Sequence, residues 1–522
     1  MAIVNEYNNT TAIYHGGVSY SSVYKNLVQY FPDPRTPPTP VPASEYIEVE
    51  IKATSSWEIR VPTNGVYNWN ISIDWWTPVN YTRTTIWGNY LRITGYTADQ
   101  IYNVVIRPWN YWYGWAKSFS YRTNTSSTNP AAQYLMNIVY DSSYVWYADS
   151  ATDTWASFRV KQYYWCYNIT TPAIEVIPNT VTTIGVSFRS WQYNWCTSLT
   201  TTAQEVMPPS VTTIPNSFRY QQYYWCTSLT SSTQEVMPNS VTSIWNNFRE
   251  YQYWWCTNIT STTPEVLSTS LTTIGEGFRL GQYSNTWVTS WAIEVIPNTV
   301  TSIWNSFRSS MYHQCYSLLT IQPEVIPSWA TIDTINFRRG MYKECINLQN
   351  TVSENSSYTA LNNVIWKYFR SEQYYWCTSI ISAATETLPS NVTSIWNYFR
   401  HSQYYNCTAL QTSAAEVFPN TITSVGDYFR GLQYFWCPIT SNIVVTAVST
   451  SSSRPRTQQY QYSYNPAVTV KIYWSVVDSW EGAMWLPDRY VQEIQVDSSL
   501  ISAYQSASNW SYITPSKFTS LP

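Results

Sequence analysis

The pair Phe-Arg recurs at Phe158, Phe188, Phe218, Phe248, Phe278, Phe307, Phe337, Phe369, Phe399 and Phe429, at intervals of 30, 30, 30, 30, 29, 30, 32, 30 and 30 residues. A tyrosine stands five residues after each phenylalanine, from Tyr163 to Tyr434, and a cysteine eight residues after nine of them, from Cys166 to Cys437. These nine are all the cysteines in the chain. A unit of this length cannot bury its own apolar side, so the period predicts coils completed by their neighbours. Every repeat position then becomes a column. Leu199, Leu229 and Ile259 form one, Ile184, Ile214, Ile244 and Ile274 another, and the phenylalanines a third.

Within each period the short β-branched stretches around TTI and EVMP, closed by proline, glycine or asparagine, predict strands and turns. The segment from Phe-Arg to Cys predicts a short helix or helical turn. One cysteine per coil in one column predicts a small buried filler rather than a zinc or redox site, and stacked Cβ vectors point in parallel, which disfavours disulfides.

Cys-Thr-Ser-Leu-Thr, Val-Met-Pro-Asn-Ser-Val-Thr-Ser-Ile and Asn-Phe, as they follow one another from Cys226 to Phe248, resemble the BspA-like leucine-rich repeats of bacterial surface proteins. The resemblance covers residues 157–439 and implies a leucine-rich-repeat solenoid. The copies here are longer than the usual repeat of that family, with extra residues before Glu-Val and between Phe and Cys. The run EIQVDSSLISAYQSASNWSYITPSKF resembles the segment that closes such arrays.

The position three residues before the Phe holds Gly185, Gly275 and Gly426, but Trp155, Trp245, Trp304, Trp366 and Trp396, with Pro215 as a further exception. Glycine suits a positive φ or a close backbone approach, and tryptophan suits neither. The chain has 14 glycines against 29 tryptophans, where glycine usually makes up ~7 % of a protein. The pattern predicts that several of these tryptophans are glycines in the natural protein, read from a reassigned stop codon. The competing expectation is a true aromatic ladder on the outside of the solenoid.

Around the array, residues 1–31 suit short β-hairpins and resemble attachment modules of phage tail-associated proteins. Residues 32–46, PDPRTPPTPVPASEY, form a stiff proline-rich linker. Alternating, aromatic-rich sequence over 47–123 predicts a β-sandwich, 124–440 the solenoid with its N-terminal cap, and 441–522 a β-rich domain and cap. The fold class expected is mainly β.

Charged residues are 11 % of the chain and the net charge is −3, without a basic run, so no nucleic-acid partner is expected. No apolar run spans a bilayer and the N-terminus lacks the pattern of a secretory signal, so no membrane insertion is expected. The histidines His15, His313 and His401 stand apart from one another, with no phosphate loop or metal-spaced pair, so neither catalysis nor a cofactor is implied. Glu175, Glu205, Glu235, Glu265, Glu294, Glu324, Glu386 and Glu416 form a column whose like charges would repel without a counter-row. The arginines of Phe-Arg are expected to supply it, and the two rows could offer a periodic surface to a polyanionic or glycan partner.

Two residues between that arginine and the Gln or Met preceding the fixed tyrosine change from copy to copy, among them Ser190 and Trp191, Tyr220 and Gln221, Glu250 and Tyr251, Arg339 and Gly340, Ser371 and Glu372, and His401 and Ser402. Variation on a rigid repeat marks a free surface. Trp191, Tyr220, Glu250, Tyr251, Arg339, Glu372 and His401 are therefore the candidate binding residues. The reading that results is a non-enzymatic recognition or adhesion protein, extracellular or at the cell surface, meeting a protein or glycan on a partner cell. The alternative is a virion component such as a tail-associated receptor-binding protein, held in a larger assembly through the N-terminal module. An enzyme housed in the β-domains is the distant third.

Overall fold

The computed structural model describes residues 47–108, 135–141, 153–445, 468–472 and 488–522 with gaps, the longest of them 352–363 within the array, together with two-residue strands at Tyr14–His15 and Val18–Ser19. Those two strands pair as an antiparallel hairpin. Among the described residues no helix is long and apolar enough to cross a membrane.

Val49 and Ile51 point into a core with Ile59, Ile73, Ile93 and Val104, while Glu50 and Lys52 between them face outward. This period-two alternation is what a half-buried strand requires. The strands Val79–Thr82, Asn68–Ile73, Ile101–Pro108, Ile47–Lys52 and Leu135–Asp141 lie in that order in one antiparallel sheet, and Glu58–Pro62 pairs with Tyr90–Thr94 in a second. Leu135–Asp141 takes this sheet past residue 123, where the sequence placed the start of the solenoid region.

The array is a parallel solenoid. Thr213–Ile214, Ser243–Ile244, Thr273–Ile274, Ser302–Ile303 and Thr331–Ile332 pair in parallel with isoleucine opposite isoleucine, and Val364–Ile365, Ser394–Ile395 and Ser424–Val425 continue the pattern. The EV segments also pair coil to coil, Glu175–Val176 with Glu205–Val206 and Glu386–Thr387 with Glu416–Val417. Phenylalanine rings of adjacent coils stack with centroids 5.1 to 5.7 Å apart, and the fixed tyrosines stack alongside, as Tyr193 on Tyr223 at 5.4 Å.

Each coil contributes to two apolar clusters. Phe188, Ile184, Val181 and their column mates form one, and Tyr193, Cys196, Leu199 and theirs the other. All nine cysteines are buried, and Sγ donates to the tyrosine carbonyl one coil back at 2.9 to 3.1 Å, as from Cys226 to Tyr193 and from Cys407 to Tyr374. In the fifth coil Thr286 takes the cysteine's place and donates to Tyr283 at 2.7 Å.

The segment from Phe-Arg to Cys is not a helix. Arg189, Trp191 and Trp195 have φ of 53°, 60° and 65°, and the same steps are left-handed in nearly every coil. Backbone N–H groups there alternate in direction. Gln192 and Asn194 donate within the coil, to Arg189 and Trp191 at 3.3 Å, while Trp191, Tyr193 and Trp195 donate to Tyr220, Gln222 and Tyr224 of the next coil at 2.8 to 2.9 Å. A helix would aim every N–H back along its own axis. This ribbon of turns spends half of them on the neighbouring coil, which satisfies buried backbone groups and offsets left-handed strain of order 1–3 kcal/mol per residue.

The arginine column is buried, not superficial. Arg189, Arg249 and Arg430 are at most 3 % exposed, and each guanidinium of the array lies over the ring of its own Phe, with distances of 4.8 to 5.5 Å. Burial first, then Arg219 and Arg279, lowers the pKa of Arg249 well below its ordinary value. The expectation that arginines form a surface row for a polyanion is therefore wrong, because their aliphatic stems and planar heads fill the layer between the two apolar clusters. The side chains of the glutamate column lie outside the described residues. Beside the arginines runs a buried amide ladder, in which Gln192 donates to Gln162, Gln222 to Gln192 and Gln252 to Gln222 at 3.0 to 3.1 Å.

Among the described residues, φ at the glycine and tryptophan position is not positive. Close approach is the operative constraint where glycine stands: a Cβ on Gly275 would meet the backbone carbon of Trp245 at 2.6 Å, and one on Gly426 the amide nitrogen of Asn397 at 2.5 Å. Tryptophan is nonetheless seated there, half-exposed, at 52 % for both Trp245 and Trp304 and 40 % for Trp396. Trp245 and Gly275 make the same rung bond, to Ile214 at 2.9 Å and to Ile244 at 2.7 Å.

The C-terminal end keeps the parallel sense. Ile443–Val445, Val468–Ile472, Val491–Val496 and Phe518–Ser520 form one parallel sheet. The short helix Ile501–Ser506 brings Tyr504 against Trp510 and Phe518 to cover its apolar side.

Candidate recognition face

The ribbon of turns decides which side chains reach solvent. In each coil the Phe, the Arg, the Gln or Met and the fixed Tyr and Cys turn inward. Most larger side chains at the second, third, sixth and seventh positions after Phe are left on the outer side, while small ones such as Ser190, Asn194 and Ser284 are buried. Trp191, Tyr220, Glu250, Tyr251, Arg339, Glu372 and His401 all stand two or three residues after a Phe and all are half-buried. They gather into two groups along the solenoid.

The first group is aromatic. Trp191 and Tyr220 lie 6.1 Å apart at 36°, Tyr220 and Tyr251 6.5 Å apart at 78°, and Tyr251 and Trp254 4.8 Å apart at 33°. Trp254 also meets Tyr224 edge-on at 5.3 Å. The Lys161 ammonium sits 4.0 Å from the centre of the Trp191 ring, and the Gln221 amide donates to the Tyr220 hydroxyl at 3.0 Å. Tyr251 reaches over the next coil because Gly281 has no side chain: a Cβ there would stand 2.4 Å from the Tyr251 ring. Burial, and then Glu276, pushes the Glu250 carboxyl up to about 7. Burial with Glu250 and Tyr220 pushes Tyr251 up to about 12.

The second group is ionic. Glu372 accepts from Arg339 at 2.9 Å and from Lys343 at 2.8 Å. Burial opposes ionisation of Glu372, but these two cations outweigh it and hold the carboxyl below its usual range. Arg339 lies over Tyr368 at 4.7 Å, the first of a stacked row with Tyr398 and Tyr428. His401 meets Tyr398 and Tyr428 edge-on at 5.4 and 5.9 Å, and burial pushes its pKa down to about 4 against the pull of Glu372.

Sequence reasoning missed the sixth and seventh positions. Tyr224, Trp254, His313, Lys343 and Glu344 belong to the same face, and Gln314 donates to Glu344 at 2.8 Å. The signal was present, since the sixth position also changes from copy to copy, through Asn194, Trp254, Ser284 and Lys343. Where these outer positions are uniformly aromatic the rings consume one another's faces: Trp195, Trp225 and Trp255 stack at 4.4 and 4.9 Å within 12° of parallel. Among the described residues no group of three or more His, Cys, Asp or Glu side chains is placed to hold a metal ion.

These columns define the class of protein as a parallel β-solenoid of stacked coils bearing a variable face. No family model and no curated protein matches the chain. Among solved structures it is similar to a leucine rich cell surface protein from Faecalibacterium prausnitzii A2-165, at 17 % identity over 70 % of this chain and 86 % of that one, with a TM-score of 0.30. It is also similar to the pneumococcal vaccine antigen PcpA, at 9 % identity over 74 % of this chain and 85 % of that one, with a TM-score of 0.30. At such scores the solenoid rests on the stacking of its own columns.

Proposed function

We propose that the chain is a non-enzymatic recognition protein, acting outside the cell, which presents the variable face of its solenoid to a ligand on a partner surface. One observation carries this reading. All seven residues singled out for their variation sit half-exposed on the same outer side, and six of them meet others on that side through ring contacts or ion pairs, while the invariant side chains of the same segment are buried. Aromatic and arginine side chains supply most contact energy at recognition surfaces. A stacked solenoid holds them rigidly, so little ordering entropy opposes binding.

Fluorescently labelled full-length protein should bind the partner cells saturably, and unlabelled protein should compete. Antibody against the solenoid should decorate intact producing cells. Label confined to the cell interior would overturn the extracellular placement, and label on purified virions instead of cells would replace it with the virion alternative.

A further inference from the structure

The aromatic group and the ionic group on this face differ in what they leave available. In the ionic group Arg339 and Lys343 are both engaged by Glu372, and Tyr368, Tyr398 and Tyr428 are stacked within 12° of parallel, so their ring faces are taken. In the aromatic group no two successive rings are parallel: Trp191, Tyr220 and Tyr251 follow one another at 36° and 78°. Tilted and edge-on rings keep faces that stacked rings lose.

The chemistry around those rings is that of a hydroxyl-rich, uncharged ligand. Polar groups within the group are the Tyr220 hydroxyl, the Gln221 amide that donates to it, and Glu250, whose carboxyl is half neutral near pH 7. The full charges that border it are of opposite sign, Lys161 over Trp191 and the exposed Glu276 near Glu250. Such a patch offers no complement to a charged partner. The rings advance one per coil, at 6.1 and 6.5 Å, over phenylalanines stacked 5.3 and 5.7 Å apart beneath them. A ligand that meets each ring in turn must repeat on that scale, which an extended chain of pyranose units does and the irregular surface of a folded protein does not. Sugar C–H faces pack on aromatic faces, and their hydroxyls exchange hydrogen bonds with tyrosine, amide and carboxyl groups.

We propose that Trp191, Tyr220, Tyr251 and Trp254 form a binding track for an extended, uncharged polysaccharide of pyranose units, laid along the solenoid axis. This rests on the recognition reading above and names the ligand class of the same face.

The probes are insoluble cellulose, chitin, β-1,3-glucan and mannan in pull-down, and the dimer and hexamer of whichever is retained in calorimetry, all with the full chain. At least one should be retained, and the hexamer should bind at least tenfold more tightly than the dimer, because only the longer chain spans three rings. Tyr251→Leu keeps the bulk and removes the ring face, and should weaken hexamer binding about tenfold, while Tyr251→Phe should retain most of it. Val236→Ser, at an exposed position off the face, should change nothing. Retention of none of the four polysaccharides, equal affinity for dimer and hexamer, or binding untouched by Tyr251→Leu would overturn the proposal. If polysaccharide binding is absent while labelled protein still binds cells, the ligand is a protein and the recognition reading stands without the glycan.

Discussion

Tyr251 lies across Gly281 of the next coil, at a point where a Cβ would come within 2.4 Å of its ring and where the backbone has φ +58°. The close approach requires glycine and the left-handed φ favours it, although Trp191 and Tyr251 hold a similar φ at the same position of their own coils. Gly281→Ala should destabilise the fold by about 1–2 kcal/mol from the left-handed backbone and the clash together. Adding Tyr251→Ala should recover the clash component, leaving a non-additive cycle in denaturant melts. Strict additivity of the two changes would show that the ring does not rest on this glycine.

The cysteine column gives a second test. Burial raises the thiol pKa of Cys226, Cys345 and Cys437 well above the ordinary value, so the reactive thiolate is scarce as well as enclosed. Native protein at pH 8 should take up little alkylating reagent over hours, and denatured protein should take up nine equivalents. Rapid labelling of the folded chain would place these thiols outside the core.

For His401 the folded pKa is about 4 against 6.5 for the free side chain. Between those values the unfolded chain binds a proton that the folded chain refuses, so this residue costs stability as pH falls from 6.5 towards 4. Glu250 acts in the opposite sense, because its folded pKa of about 7 lies above 4.5 and the folded chain holds the extra proton between them. His401→Asn should raise stability at pH 4.5 relative to pH 7.5 by about 1–2 kcal/mol, and Glu250→Gln should remove the opposing trend. Identical pH profiles for wild type and His401→Asn would contradict the buried placement of the imidazole.

The stack was legible in the sequence because a period of 30 leaves few alternatives: the Phe, Tyr, Cys and Leu or Ile columns are where the spacing puts them. The arginines were misread because charge alone suggests a surface, whereas a planar head over Phe248 and a neighbouring amide ladder make an interior place for Arg249. The ribbon was misread because nothing in the composition of Arg189 or Trp191 encodes a left-handed φ. It is imposed by hydrogen bonds to the next coil, which only the assembled stack provides. Three of the four outer aromatics of the proposed track were legible from their variation, while Trp254 was hidden beside an invariant-looking Trp-Cys pair.

Trp245 and Trp396 remain the positions where sequence logic and seating differ. The close approach at Gly275 and Gly426 favours glycine in this slot, and peptide mass spectrometry of the natural protein should show glycine at several of Trp245, Trp304, Trp366 and Trp396. Tryptophan masses at all four would establish the half-exposed indoles as genuine.

Invariant residues hold the stack and variable ones bind, and one paired measurement separates the two roles. Changing Trp191, Tyr220, Glu250, Tyr251 and Arg339 together to serine should abolish attachment to partner cells with little change in melting temperature, since such half-exposed substitutions cost up to ~0.5 kcal/mol each. Phe248→Ala, in the buried column, should cost about 3–5 kcal/mol and lose attachment only through unfolding. Full attachment by the folded five-site variant would contradict the claim and move recognition off this face.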